Sequence, residues 1–170
     1  MIATIADPVK ALLDQCAKYS RVRERLVDGA PSNRSLEIDY WLTQVLSPVG
    51  SPWCAAFVSQ MGVQAMGTAW PVKRDAYVQD IVDYCTGQGL KLEDTPMVGD
   101  IMVIWYENLK RYGHIGIVEK VISTTLFKTW EGNTNNDGSR DGNGVYNKTR
   151  PIGARYKFLR WTELLTKNPA

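Results

Sequence analysis

The hydrophobic pattern of the chain changes its period near Pro96, and this change constrains the fold more than any other feature of the sequence. Before Pro96, apolar residues recur at intervals of three and four, which is typical of amphipathic helices. After it, short apolar runs are separated by turn-forming residues, which indicates strands. Helices followed by strands predict an α+β domain in which the helices pack on one face of an antiparallel sheet.

Four helices are predicted in the first half of the chain, and two of them begin with an N-cap residue followed by proline. These two starts are Asp7-Pro8 and Ser51-Pro52, with each proline in the first helical position. The apolar stripes of the four helices are Val9, Leu12, Leu13, Cys16 and Ala17; Ile38, Trp41, Leu42 and Val45; Ala55, Phe57, Val58 and Met61; and Val78, Ile81, Val82 and Cys85. The polar stretch 21–34 predicts a loop.

The second half predicts a sheet of five strands. They are expected at 101–106, 114–122, 126–131, 144–149 and 156–161. A chain of 170 residues, 44% of them hydrophobic, fits one domain with an ordinary core. We therefore expect a single domain over 1–170, with a helical N-terminal part at 7–47 and a functional core at 51–161.

Charge and composition narrow the possible partners. Lys plus Arg is 20 and Asp plus Glu is 18, and this small excess of positive charge gives no support to a nucleic-acid partner. Three cysteines without a CxxC pair and a single histidine predict no disulfide framework, no metal site and no cofactor. The sequence begins without a Sec signal pattern and contains no run of 18 apolar residues, so we expect synthesis in the cytoplasm and no membrane span.

The single histidine is the residue best suited to proton transfer near neutral pH. His114 opens a predicted strand between two glycines, Gly113 and Gly116, which leave room for a ligand or another backbone. A histidine that is merely hydrogen-bonded within a sheet has the same sequence appearance. His114 alone therefore does not establish a catalytic site.

Cys54 differs from the other two cysteines in its position. Cys16 and Cys85 lie on apolar helical stripes, which is typical of inert packed thiols. Cys54 shares a stripe with core residues too, but it also lies in the first turn of a predicted helix. Unpaired N–H groups and the helix dipole stabilise a thiolate there and can hold the negative oxygen of a tetrahedral intermediate.

A third group is needed to orient an imidazole, and the segment Glu131-Gly132-Asn133 offers two candidates. If the preceding hairpin turns at Ser123-Thr124, counting outward places His114 opposite Asn133 and Gly116 opposite Glu131. The three polar side chains of His114, Glu131 and Asn133 then lie on one face of the sheet. A slip of one residue would send His114 to the other face. Either Glu131 or Asn133 can accept from the imidazole, and both can also begin a polar surface loop.

Four sequence blocks follow one another along the chain. They are Pro52-Trp53-Cys54-Ala55-Ala56-Phe57-Val58, Gly99-Asp100-Ile101-Met102-Val103-Ile104, Gly113-His114-Ile115-Gly116-Ile117-Val118 and Glu131-Gly132-Asn133-Thr134-Asn135. In this order the blocks resemble the CHAP family, the cysteine, histidine-dependent amidohydrolases/peptidases, a papain-like group related to the NlpC-type wall peptidases. The resemblance covers roughly residues 51 to 161.

The resemblance implies a fold, an activity and a set of site residues. Family members are papain-like and hydrolyse amide bonds of peptidoglycan, between sugar and stem peptide or within the peptide. By this likeness Cys54 is the nucleophile, His114 the general base and acid, Glu131 the group that orients the histidine, and Asn133 the fourth member of the site. Asp100 matches a structural turn residue ahead of a central strand.

Two departures from the family pattern concern the oxyanion hole and calcium. Many relatives carry Gln directly before the cysteine, where this chain has Trp53, so the second oxyanion donor is unassigned. Some relatives bind calcium through acidic residues before the nucleophile, and residues 46–51 contain none. Residues 133–142 begin like an EF-hand loop but have Gly144 where the glutamate belongs, so we interpret them as a turn-rich loop.

Several alternatives stay open at this point. The chain can be a wall hydrolase released as a phage lysin or delivered as an antibacterial toxin with a cognate immunity protein, acting in the periplasm or the extracellular wall. It can also be an amidase on a small amide such as a glutathione–polyamine conjugate, or a wall-binding module without catalysis. Candidate substrate-contacting aromatics are Trp53, Trp105 and Trp130, although core packing is the commoner fate of tryptophan.

Overall fold

The computed structural model describes residues 7–134 and 142–167, which form five α-helices and seven strands. The helices are α1 (Pro8–Lys18), α2 (Leu36–Gln44), α3 (Cys54–Met66), α4 (Val78–Gly87) and α5 (Thr162–Lys167). The strands are β1 (Leu26–Val27), β2 (Ala30–Pro31), β3 (Ile101–Tyr106), β4 (Arg111–Val121), β5 (Leu126–Thr134), β6 (Gly144–Pro151) and β7 (Tyr156–Leu159). None of the helices in these ranges has the length and apolar character needed to cross a bilayer.

Strands β3 to β7 form one antiparallel sheet in the order β6-β5-β4-β3-β7, against which α3 packs through β4 and β5. This arrangement confirms the predicted α+β class. The predicted loop 21–34 contains the small β1–β2 hairpin, and the predicted final strand gives way to α5 after Leu159. Both differences concern elements of only a few residues, which carry too little periodicity to be recognised in sequence.

The predicted starts of α1 and α3 have different outcomes. Asp7 caps α1 by accepting a hydrogen bond from the backbone N–H of Lys10 at 2.8 Å, as predicted. The prediction for α3 was wrong by two residues, because Cys54 rather than Pro52 is its first residue. Trp53 has non-helical dihedrals, and its carbonyl accepts the first helical hydrogen bond, from Phe57. Cys54 therefore lies even closer to the helix N-terminus than predicted.

The sheet separates two apolar clusters. The larger cluster lies between the sheet and the helices and includes Trp41, Phe57 and Trp161. The smaller cluster covers the opposite face of the sheet and is made of Met102, Ile104, Val118, Phe127, Tyr156 and Phe158. Because apolar side chains cover both faces, polar groups on the central strands are buried and need partners.

Strand β4 contains two irregularities that decide which side chains share a face. Near its end, Ile122 donates to the carbonyl of Leu126, so the hairpin is displaced by one residue from the predicted turn. The pairing shifts between Val118 and Lys120, and beyond it Ile117 pairs with Trp130, which is the predicted register. The second shift, at Gly113, lies beside His114. Bulges of this kind change the direction of side chains next to them.

Candidate active site

Cys54 is held against the sheet by the residue before it and by a glycine on β5. Trp53 is fully buried, and its indole N–H donates to Glu24 Oε1 at 2.9 Å. A Cβ on Gly132 would lie 2.6 Å from the Trp53 ring and 2.7 Å from Phe57 Cβ. Only glycine therefore lets the start of α3 approach β5 this closely. This contact fixes the position of the Cys54 thiol relative to the strand that carries Glu131.

His114 is buried between Glu131 and Cys54. Its Nε2 lies 2.7 Å from Glu131 Oε2, and it lines the same cleft as Cys54. Burial disfavours the charged ring, but the interactions of the ring with Cys54 and Glu131 outweigh burial and raise the pKa of His114 to about 9. The imidazolium is therefore the prevailing form at neutral pH.

Glu131 is fully buried and accepts hydrogen bonds from three side chains. Besides His114, Arg150 donates through Nε to Oε1 at 2.8 Å and through Nη2 to Oε2 at 2.6 Å, and Thr129 donates to Oε1 at 2.5 Å. Burial would raise the pKa of Glu131, but the bonds from Arg150 and His114 outweigh this effect and hold the pKa below its ordinary value. Glu131 therefore stays ionised inside the protein.

Arg150 and Thr129 were not predicted from the sequence. Thr129 lies two residues before Glu131 and shares its face of β5. The alternation of side chains along a strand could have predicted this position. Arg150 lies on β6 opposite Phe127. A buried glutamate implies a cation nearby, but nothing in the sequence singles out this one among 20 basic residues.

The predicted ambiguity between Glu131 and Asn133 is resolved by distance, because Glu131 is the residue that contacts the imidazole. Asn133 is buried in a left-handed conformation with φ of 52°, which lies within the irregular pairing between β5 and β6. Its Oδ1 is buried and has no hydrogen-bond partner in the described part of the chain. Asn133 thus contributes an unused acceptor to the site.

Cys54, His114 and Asn133 open onto one cleft of about 370 Å³, a volume suited to part of a peptide or a small molecule. Among the described residues, the others that line this cleft are Ser47, Ser51, Pro52, Ala76, Tyr77, Val78, Arg111 and Gly113. Within that set the charged side chain besides His114 is Arg111, and no carboxylate is present. The described lining residues therefore include two cationic side chains, Arg111 and His114.

The three tryptophans predicted to contact substrate lie elsewhere. Trp53 is fully buried beneath the site, and its indole N–H is bonded to Glu24, so it supplies no oxyanion donor. Trp105 packs against Tyr112, with its N–H donated to Glu107. Trp130 is partly buried against the helix-side core. None of the three lines the cleft among the described residues, because these aromatic side chains next to motif residues pack against neighbouring side chains.

The remaining predicted residues have structural positions. Cys16 and Cys85 are buried, and burial raises the pKa of both thiols, that of Cys85 to about 12, in agreement with inert packing. Asp100 accepts from the backbone N–H of Met97 at 2.8 Å, which confirms its predicted role in a turn. The loop weighed as a calcium site falls largely on residues 135–141, outside the described residues.

A thiol at a helix N-terminus, an imidazole and a buried carboxylate in series are the arrangement of the cysteine hydrolases. The sequence matches the CHAP domain family over residues 46–133, just over half of the chain. The chain therefore belongs to the CHAP family, whose members are cysteine- and histidine-dependent amidohydrolases or peptidases and generally cell-wall hydrolases. A comparison with curated proteins gave no match.

Proposed function

We propose that the protein hydrolyses amide bonds of peptidoglycan through a covalent intermediate on Cys54. The observation that carries this proposal is the series Cys54–His114–Glu131, in which His114 is hydrogen-bonded to Glu131 and lines one cleft together with Cys54. In such a series the carboxylate orients the imidazole, and the nucleophile is the thiolate whose proton resides on the imidazole. The raised pKa of His114 supports an imidazolium in this series.

The reaction has two halves. Cys54 Sγ attacks the amide carbonyl carbon, the imidazolium of His114 gives its proton to the leaving amine, and the C–N bond breaks to leave a thioester. Neutral His114 then removes a proton from water, the hydroxide attacks the thioester, and the carboxylic acid leaves as Cys54 is regenerated. The negative oxygen formed in each half lies beside the unpaired N–H groups at the start of α3.

Asn133 is proposed to bind the substrate rather than to orient the imidazole. Its Oδ1 is a buried acceptor without a partner in the described residues, at the wall of the cleft. An unpaired buried acceptor is costly, and a backbone N–H of a bound peptide would satisfy it. This interpretation keeps Asn133 in the site but changes the role that the family likeness implied.

The bond that is cut is proposed to be either the amide between muramic acid and L-alanine or a peptide bond of the stem or cross-link. Family membership supports the wall as substrate. The place of action would be the periplasm or the extracellular wall, reached as a phage lysin or as a delivered antibacterial toxin. In the second case a cognate immunity protein would bind the chain.

The test is mass spectrometry of fragments released from purified sacculi by the wild type, Cys54→Ala and Cys85→Ala. Cys85→Ala is the matched control, because it removes a buried thiol away from the cleft. We expect soluble fragments from the wild type and Cys85→Ala but none from Cys54→Ala, with thermal melts to show that all three are folded. Release by Cys54→Ala would contradict the mechanism.

The same samples separate the remaining candidates. The masses of the released fragments identify which amide bond is cut. If no folded variant releases fragments, cleavage of a glutathione–polyamine conjugate identifies a small-amide amidase, and co-sedimentation with sacculi identifies a binding module. Either result would refute the proposed wall hydrolase.

A further inference from the structure

We propose that Arg111 forms a carboxylate-binding subsite in the cleft, so that the preferred substrate is an acidic peptide with a free carboxylate near the scissile amide. The proposal rests on the proposed function and specifies its substrate. Arg111 lines the same cleft as Cys54 and His114, and no carboxylate of the described residues lies among the lining groups. The Arg111 guanidinium therefore attracts an anionic ligand in this cleft.

The bulge at Gly113 brings Arg111 to the catalytic side of the strand. Residues 111 and 114 are three apart, so in a regular strand their side chains would leave opposite faces. In the structure His114 pairs with Ile104 and Arg111 pairs with Tyr106, which are two apart on β3. Arg111 and His114 therefore share one face, because Gly113 is the extra residue between them.

Neighbouring contacts position the guanidinium. Its central carbon lies 4.6 Å from the centroid of the Tyr77 ring, a cation–π arrangement. Tyr77 immediately precedes α4, and α4 is tied to β4 because the backbone N–H of Tyr112 donates to Gln79 Oε1 at 2.9 Å. The ring and the guanidinium are thus held by two elements that are bonded to each other.

The guanidinium keeps unused donors. Nη1 donates to the carbonyl of Tyr112 at 3.3 Å, a long hydrogen bond, and Arg111 forms no ion pair within residues 7–134 and 142–167. Arginine presents five N–H groups in a planar fork that matches a carboxylate. A carboxamide lacks the negative charge of a carboxylate, so this subsite would distinguish a free carboxylate of a stem peptide from its amidated form.

The experiment compares hydrolysis of two soluble stem-peptide preparations from sacculi, one with free carboxylates and one in which they are converted to carboxamides. The enzymes are the wild type, Arg111→Met, Arg111→Lys and Arg155→Met. Arg155 is the matched control, since it also lies over tyrosine rings but outside the cleft. We expect the wild type and Arg155→Met to prefer the free acid by about 10- to 100-fold in kcat/KM.

In Arg111→Met this preference is expected to disappear through loss of activity on the free acid alone, with Arg111→Lys in between because lysine keeps the charge but not the fork. Equal loss on both preparations, or no preference in the wild type, would overturn the subsite. If neither preparation is cleaved, the proposed hydrolysis is refuted, but the subsite is not. The affinities of Cys54→Ala for the two preparations, measured by calorimetry, then test the subsite, and equal affinities would overturn it.

Discussion

Replacing Arg150 by Met leaves the Glu131 carboxylate buried without its two strongest hydrogen-bond donors. Glu131 is fully buried and the Arg150 side chain is 11% exposed, so water cannot replace the lost contacts. Removing one partner of a buried ion pair costs about 3 to 5 kcal/mol. His114 and Thr129 still contact Glu131, which favours the lower end, about 3 kcal/mol. For a chain of this size that corresponds to a fall of roughly 6 to 12 °C in Tm.

The assay is urea denaturation at pH 7 and at pH 4, with unfolding monitored by tryptophan fluorescence. The pKa of Glu131 is held below its ordinary value of 4.5, so its contribution to wild-type stability is complete above pH 4.5 and is lost as pH falls through the lowered pKa. In Arg150→Met the Glu131 carboxylate takes up a proton at a higher pH than in the wild type, and the neutral acid costs less free energy to bury. The difference in unfolding free energy between the two proteins is therefore expected to narrow at pH 4.

Two further variants test the reasoning. Adding Glu131→Gln to Arg150→Met removes the stranded charge and is expected to restore about 2 kcal/mol, since a neutral amide is cheaper to bury. Arg34→Met removes a comparable fork from Asp39 on the surface and is expected to leave the denaturation midpoint nearly unchanged. A decrease in unfolding free energy below about 1 kcal/mol in Arg150→Met would refute the reasoning. It would also be refuted if the effects of Arg150→Met and Glu131→Gln on unfolding free energy were strictly additive, because two residues that stabilise each other do not contribute independently.

The other predictions concern protonation and space in the site. His114 is the only histidine of the chain, so its NMR ring signals need no assignment; we expect a midpoint near pH 9 and a lower one in Glu131→Gln. Since 9 lies above the ordinary value of 6.5, the stability that this proton contributes is full below pH 6.5 and lost as pH rises through 9. An unchanged midpoint in Glu131→Gln would contradict the pairing. Gly116→Ala is expected to lower hydrolysis at least ~10-fold and stability by about 1 to 3 kcal/mol, because its Cβ would lie 2.7 Å from Glu131 Cγ and 2.8 Å from the Trp130 carbonyl. Gly153→Ala, where a Cβ meets nothing within 4 Å, is the control, and equal effects of the two would exclude a local cause.

Local signals in the sequence were sufficient for much of the site. Cys54 at a helix start and the face shared by His114 and Glu131 follow from helix and strand periodicity. The predicted turn was displaced by one residue, yet the register beside Glu131 was right, because the irregularity at Glu119 takes up that residue. A correct face was thus obtained from an incorrect turn. Strand periodicity alone cannot anticipate such a compensation, since a bulge has no fixed sequence signal.

Arg111 and Arg150 were not predictable for the same physical reason. Each reaches the site through a pairing that sequence distance does not determine, Arg111 through the bulge at Gly113 and Arg150 through the register of β6 against β5. Simple alternation would even have placed Arg111 on the wrong face. The sequence therefore identifies reacting groups from local patterns, whereas the residues that surround them depend on strand register.

Arg150 also has a consequence for the charge state of the proposed catalytic groups. An imidazolium is held in place only as long as its partner is a carboxylate, and full burial works against that carboxylate. The bidentate contact from Arg150 opposes this effect, so Glu131 is ionised across the pH range in which His114 titrates. The family match ends at residue 133, so the cation that sets this charge state lies beyond it. A chain with the matched blocks but an apolar residue at this position of β6 would contain the same three groups and yet bury an unpaired carboxylate beside the histidine.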